Sequence, residues 1–263
     1  MRHQKSPDSP DLDTSACSKA KSSAIGSVWP SCSKRGTLCN EGEVGVRLKF
    51  IYERLLEYFG ARHWWPGDSP FEIMVGAVLT QNTAWRNVEK AIKNLAQNNL
   101  LTAEAMATVS DETLAAHIRP SGYFNVKARR LKSLVTLILK HGRGGKKPDI
   151  LSWPRDKLRT ALLEVSGVGP ETADSIVLYA ANKPSFVVDA YTRRVLARHG
   201  LAQGDEPYEV IRDWFMQHLL PETKLYNEFH ALIVAVGHQK CGPKKPKCLS
   251  CPLNDDPMLD QAL

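Results

Sequence analysis

Cysteine is scarce, with six residues in 263. That is too few for a disulfide scaffold. The first ten residues, MRHQKSPDSP, contain no apolar h-region, which points away from secretion. A reducing, intracellular, cytoplasmic setting is the expectation. Long apolar runs are also missing. The run over residues 231–236 falls far short of the ~18 residues that cross a bilayer, so no membrane partner is expected. No segment alternates polar and apolar residues with period two between turn signals, which removes convincing strands. No internal repeat is visible.

What remains is a helix-forming chain. Apolar residues make up 43% and charged residues 24%, a balance that supports a packed core and excludes global disorder. Lys and Arg (35) exceed Asp and Glu (28), and the resulting +7 favours a polyanionic partner. Residues 1–44 are rich in Ser, Pro, Asp, Lys and Gly without apolar periodicity, and read as a disordered leader carrying only +1. From Val46 the pattern changes. Leu48, Ile51, Tyr52, Leu55, Leu56 and Phe59 recur at the three- and four-residue spacing of one helix face. Further helices are expected near 70–80, 84–98, 103–109, 111–118, 125–141, 154–165, 171–181, 190–200, 208–219 and 223–237. Short Gly/Pro loops join them, so the fold is expected to be all-α.

The most informative stretch is residues 162–196. A helix ends in Ser166-Gly167-Val168-Gly169, and Pro170 and Glu171 open the next. A Gly-x-Gly hairpin lets backbone approach a phosphate without Cβ interference, and N–H groups at the following helix start favour an anion. Such a loop also occurs in ordinary αα-hairpins, so alone it leaves both readings open. Asp189, at the head of the helix over 190–200, is likewise either an N-cap or a reactive carboxylate, and the two roles are compatible. Residues 119–147 hold nine Lys or Arg and no acid, among them Lys127 and Arg130. That density suits phosphate contacts. Arg193, Arg194 and Arg198 form a smaller basic cluster.

Taken together, the hairpin, the loop 181–187 and Val187-Val188-Asp189-Ala190-Tyr191 resemble the helix-hairpin-helix, Gly/Pro-rich loop and Asp signature of the endonuclease III (HhH-GPD) superfamily of DNA glycosylases. Residues 76–83 resemble that family's segment whose Gln, here Gln81, fills the space left by a flipped base. Residues 119–128 resemble its G-x-x-x-x-K-A helix start. Cys241, Cys248 and Cys251 match three of the four cysteines of its iron–sulfur loop. The resemblance runs from Leu48 to Leu253.

It implies an all-α, two-lobed fold. One lobe is a six-helix domain over 62–183 ending in the hairpin; the other combines 45–61 with 184–263. It further implies a DNA glycosylase of base-excision repair, with double-stranded DNA carrying a damaged base in the cleft and the target base flipped out. Asp189 would be the catalytic carboxylate. Gly167, Val168 and Gly169, with Gln81, Lys127, Arg130 and Arg193, would contact DNA. A monomer is expected.

Two departures sharpen the expectation. The family's glycosylase/lyases place an imine-forming Lys eighteen residues before the Asp; here that position is Glu171. A carboxylate forms no imine, so Glu171 implies a monofunctional enzyme that leaves an abasic site. Glu171 is itself either a catalytic-site residue or a first-turn acid favoured by the helix dipole. His63-Trp64-Trp65-Pro66 together with Glu171 resembles the endonuclease III-like 3-methyladenine DNA glycosylases. An alkylated purine is cationic, and aromatic faces attract it. Trp64, Trp65 and Pro66 are therefore base-pocket candidates, with core packing as the alternative for either Trp; Trp85 and Phe124 are weaker candidates that read first as core. The second departure is Pro257, which stands where a fourth cysteine belongs. Three readings stay open: the 4Fe-4S cluster is lost, it takes Asp255 or Asp256 as fourth ligand, or Cys39 supplies the thiolate. No cofactor is required for catalysis on any of them. Two other functions stay open as well: a glycosylase/AP lyase for oxidised pyrimidines, and a non-catalytic DNA-binding protein.

Overall fold

Capping side chains decide where several of these helices begin. The computed structural model describes residues 39–256. Eleven α-helices run through them: α1 Cys39–Phe59, α2 Pro70–Leu79, α3 Trp85–Gln97, α4 Ala103–Thr108, α5 Asp111–His117, α6 Phe124–Lys140, α7 Arg155–Leu163, α8 Pro170–Ser175, α9 Ala190–Arg198, α10 Tyr208–His218 and α11 Thr223–Gln239. Ser69 accepts from the Glu72 amide and opens α2, with Pro70 at its first position. Thr102, Ser110 and Asp189 cap α4, α5 and α9 in the same way. No strand occurs among the described residues. None of their helices is long and apolar enough to cross a membrane.

The expected leader is corrected at one end. α1 starts at Cys39, so residues 39–44 belong to it. Their sequence, CNEGEV, has no apolar periodicity to announce a helix. The rest of the expected leader, with Cys17 and Cys32, lies outside the described residues, as do residues 257–263.

Two buried apolar clusters form two lobes. One gathers Phe71, Met74, Leu95, Met106, Leu134, Ile138 and Leu162 from α2 to α7. The other gathers Leu55, Phe186, Phe215, Tyr226 and Phe229 from α1, α10, α11 and the loop before α9. Each fully buried side chain of this size contributes roughly 1.5–3 kcal/mol. α8 continues into a π-helical turn, Ile176–Ala180, that belongs to both lobes: Ile176 and Val177 face the first cluster, Leu178 and Tyr179 the second.

Asp174 of α8 pins this junction. It is fully buried and accepts from Arg159 of α7 at 2.9 and 3.0 Å, from the Ser185 hydroxyl, and pairs with Arg212 of α10 at 3.4 Å. A buried carboxylate persists only with such partners. The network fixes the loop 181–189, and that loop carries Asp189.

Candidate active site

The hairpin between α7 and α8 requires a glycine at its first position. Gly167 sits at φ +84°, and a Cβ there would fall 2.4 Å from Arg130 Cγ. Gly169 precedes α8 in extended conformation, and a Cβ there would meet nothing within 4 Å. Val168 is different. Its side chain is buried and its amide donates to Val165 at 3.0 Å, so it serves the hairpin rather than offering a group outward.

A cavity of about 430 Å³ opens where the lobes meet. Gln81, Gly169 and Glu171 line it from one side, and Asp189, Arg193 and Tyr208 from the other. Gln81 lies against the hairpin: its amide donates to the Gly167 carbonyl at 3.0 Å and to Thr172 Oγ1 at 2.9 Å, and its carbonyl accepts from Arg130. Arg193 donates to the Glu206 carbonyl at 2.6 Å.

The two carboxylates of the cavity differ. Asp189 Oδ1 accepts from the Thr192 amide at 2.7 Å and the Thr192 hydroxyl at 2.9 Å. Burial is the largest influence on this carboxyl and pushes it up, but His230 and the two Thr192 donors outweigh it and hold it below its ordinary value. Glu171 reaches solvent at the mouth, yet loss of water around it, and then the Asp189 charge, push it up to about 6. A pair separated in this way divides into one carboxylate that stays ionised and one that changes protonation near neutrality.

Some expected site residues lie elsewhere. Lys127 is 1% exposed, and its ammonium donates to the carbonyls of Leu79 and Ser121, both at 2.8 Å, and to Thr83 Oγ1 at 2.7 Å. It therefore cannot reach a phosphate. It ties the loop carrying Gln81 to the loop carrying the 72% exposed Tyr123, and burial, then Arg130, pulls its pKa down to about 8. Lys127→Met should cost about 3 kcal/mol in urea unfolding, because three oxygens lose an ammonium donor and only Ser121 O and Thr83 Oγ1 keep each other as partners.

Trp64, Trp65 and Pro66 do not line the Asp189 cavity. Trp65 instead sits in an aromatic cluster, with ring centroids 5.7 Å from Trp64, 5.1 Å from Trp85 and 5.1 Å from Tyr179. Trp85, read as core, is thus part of the same group. Both Trp64 and Trp65 keep partial exposure, whereas Pro66 is exposed.

Arg194 and Arg198 grip the cysteine loop by donating to the carbonyls of Cys241, Gly237, Gly242 and Pro243. Cys241 is buried; Cys248 and Cys251 are half-buried. Burial, and the neighbouring Cys241 and Cys248, push the Cys251 thiol up. Asp256 is bound by Arg47 at 2.9 Å and by His199 at 2.6 Å, and Asp255 by Arg54 at 2.7 Å. Both carboxylates proposed as a fourth ligand are therefore held by cations. Among the described residues no three His, Cys, Asp or Glu side chains converge to hold a metal ion. The described residues do not fit a four-ligand cluster; Pro257 and the Cys39 side chain lie outside them.

Residues 75–219 match the model of the HhH-GPD superfamily of base excision DNA repair proteins. The chain belongs to this superfamily. Over 207 residues it is 42% identical to a protein of Methanocaldococcus jannaschii named a DNA repair glycosylase, covering 78% of this chain and 93% of that one. Its fold matches a solved endonuclease III–DNA complex with a TM-score of 0.69 at 24% identity, covering 82% of this chain and 96% of the other. It also matches the H. pylori 3-methyladenine DNA glycosylase bound to 1,N6-ethenoadenine, with a TM-score of 0.64 at 30% identity over 74% and 97% of the two chains.

Within this HhH-GPD frame, three contributors had no place in the sequence reading. His230 and Tyr179 stand behind Asp189 (2.6 Å apart), and Tyr208 walls the cavity beside it. Nothing in the local pattern of the apolar helix α11 or of the π turn sets them apart.

Proposed function

We propose that the protein is a monofunctional DNA glycosylase that hydrolyses the N-glycosidic bond of an alkylated purine in duplex DNA. The observation that carries this reading is the pairing of an ionised Asp189 with Glu171, not Lys, across the same cavity. Asp189 stabilises the oxocarbenium-like sugar and takes a proton from the attacking water. Glu171 leaves no amine to form an imine. Gly167 and Gly169 bring backbone against a phosphate, Arg130 and Arg193 add charge, and Gln81 enters the gap left by the flipped base. Tyr123, exposed on the loop that Lys127 ties to the segment before Gln81, offers a face on which a base can stack.

The alkylpurine assignment is supported by the Trp64–Trp65–Trp85 cluster and by the similarity to the H. pylori 3-methyladenine DNA glycosylase, whose structure holds 1,N6-ethenoadenine. A desolvated aromatic face is worth up to ~2 kcal/mol to a cationic base. Release from duplexes carrying alkylated, oxidised or mismatched bases tests it. Trp64→Ala or Trp65→Ala should reduce release of 3-methyladenine roughly thirtyfold, since ~1.4 kcal/mol is tenfold, while binding to undamaged duplex stays unchanged. Folded variants with normal alkylpurine release would remove the aromatic pocket from the reading.

A further inference from the structure

Asp189 divides its two oxygens. Oδ1 is taken by the cap of α9. Oδ2 is faced by His230 of α11, whose Nε2 lies 3.6 Å away. That Nε2 is buried and has no hydrogen-bond partner among the described residues. On the far side of the ring, Nδ1 lies 2.6 Å from the hydroxyl of Tyr179. Both rings are buried, and Tyr179 is held from behind by Trp65.

The facing carboxylate decides which ring nitrogen carries a proton. Burial, then the carboxylates of Asp189 and Glu228, drive the Tyr179 pKa well above its ordinary value, so the hydroxyl keeps its proton. Whether that hydroxyl donates to Nδ1 or accepts from it, the ring that fits against Oδ2 carries a proton on Nε2. The opposite arrangement would aim an imidazole lone pair at a carboxylate oxygen. We propose that His230 is a positioning residue for base release: with its ring fixed by Tyr179, its Nε2–H points at Asp189 Oδ2 and holds that carboxylate ionised and aimed into the cavity. At 3.6 Å the contact is too long for a hydrogen bond and acts through the electrostatic field of the ring. Oδ2 therefore keeps its lone pairs for the sugar or the attacking water.

The groups around Asp189 show why such a device is needed. Burial opposes its ionisation, and Glu171 of α8 and Arg193 of α9 line the same cavity. Thr192 engages only Oδ1. His230 is the partner of the reactive oxygen.

The proposal rests on Asp189 being the catalytic carboxylate, and a probe independent of the lesion separates the two ideas. A duplex with a cationic pyrrolidine in place of one sugar mimics the developing charge; a tetrahydrofuran abasic duplex is its neutral control. Their relative affinities are measured across pH. Wild type should prefer the pyrrolidine duplex, and Asp189→Asn should erase the preference. His230→Leu should reduce it about tenfold and move its acid limit up by about one pH unit, as loss of the ring's stabilising field raises the Asp189 pKa. His230→Gln, whose amide can donate to Oδ2, should restore most of it. Tyr179→Phe removes only the hydroxyl that fixes the ring, and should weaken the preference without exposing the core. If His230→Leu fails to fold, Tyr179→Phe carries the same test. A preference and acid limit unchanged from wild type in the folded His230→Leu or Tyr179→Phe variant would overturn the role of His230. A preference retained by Asp189→Asn would overturn the Asp189 reading itself, and the proposal with it.

Discussion

Asp189→Asn is expected to abolish base release while leaving duplex binding within about threefold of wild type. Asparagine is as good an N-cap as aspartate, so its side-chain oxygen can still accept from Thr192 and α9 should stay in place. What disappears is the negative charge. Removing one preorganised electrostatic group of this kind costs about 3–4 kcal/mol in the transition state, or roughly a hundred- to thousandfold in rate. Glu171 supplies a second readout. The Asp189 charge helps to push its carboxyl up to about 6, so in Asp189→Asn it should titrate lower. Single-turnover release from a substrate duplex, beside a gel-shift measurement of binding, checks the main expectation. Release within tenfold of wild type would exclude Asp189 as the reactive group, whereas no release by the wild type itself would favour the non-catalytic reading.

Glu171→Lys is expected to add an activity. The wild-type protein should neither nick abasic DNA without heat or alkali nor be trapped by borohydride. Among the described residues no side-chain amine lines the cavity, and Lys183 lies outside its lining. A lysine at 171 places an amine beside Asp189 in surroundings that raise a carboxyl to about 6. The same loss of water favours the neutral, nucleophilic form of an amine, against the pull of the Asp189 charge. The amine attacks C1′ of the opened abasic sugar and water leaves as the imine forms; borohydride then delivers hydride to the C=N carbon. The variant should therefore go from no covalent adduct to a readily visible one, and nicking should follow by β-elimination. Strong trapping of the wild type would show that another amine reaches the sugar, and would favour the glycosylase/lyase alternative.

Much of this molecule was legible in the chain itself. Helix periods, the Gly167-Val168-Gly169 turn, Pro170 at a helix start and Asp189 at a cap all leave local marks. A backbone at φ +84° or a first helical turn restricts which residue can stand there. The departure at Glu171 was equally visible, because chemical identity at one position needs no coordinates. What the tertiary structure decided was the partner of each charge. Lys127 and Arg130 are three residues apart on one basic helix. Yet one is sealed among three oxygens and the other lies over Gly167 and Gln81. Arg194 and Arg198 read as part of a small basic cluster, and they hold the cysteine loop; Asp256 was one of several candidates for a fourth ligand, and it is held by Arg47 and His199. His230 read as nothing until the fold brought it behind Asp189. Backbone geometry and periodicity are short-range constraints, so sequence records them directly. Burial and pairing depend on segments distant in the chain meeting in space, and their energies are set by separations of a few ångströms that no local pattern encodes.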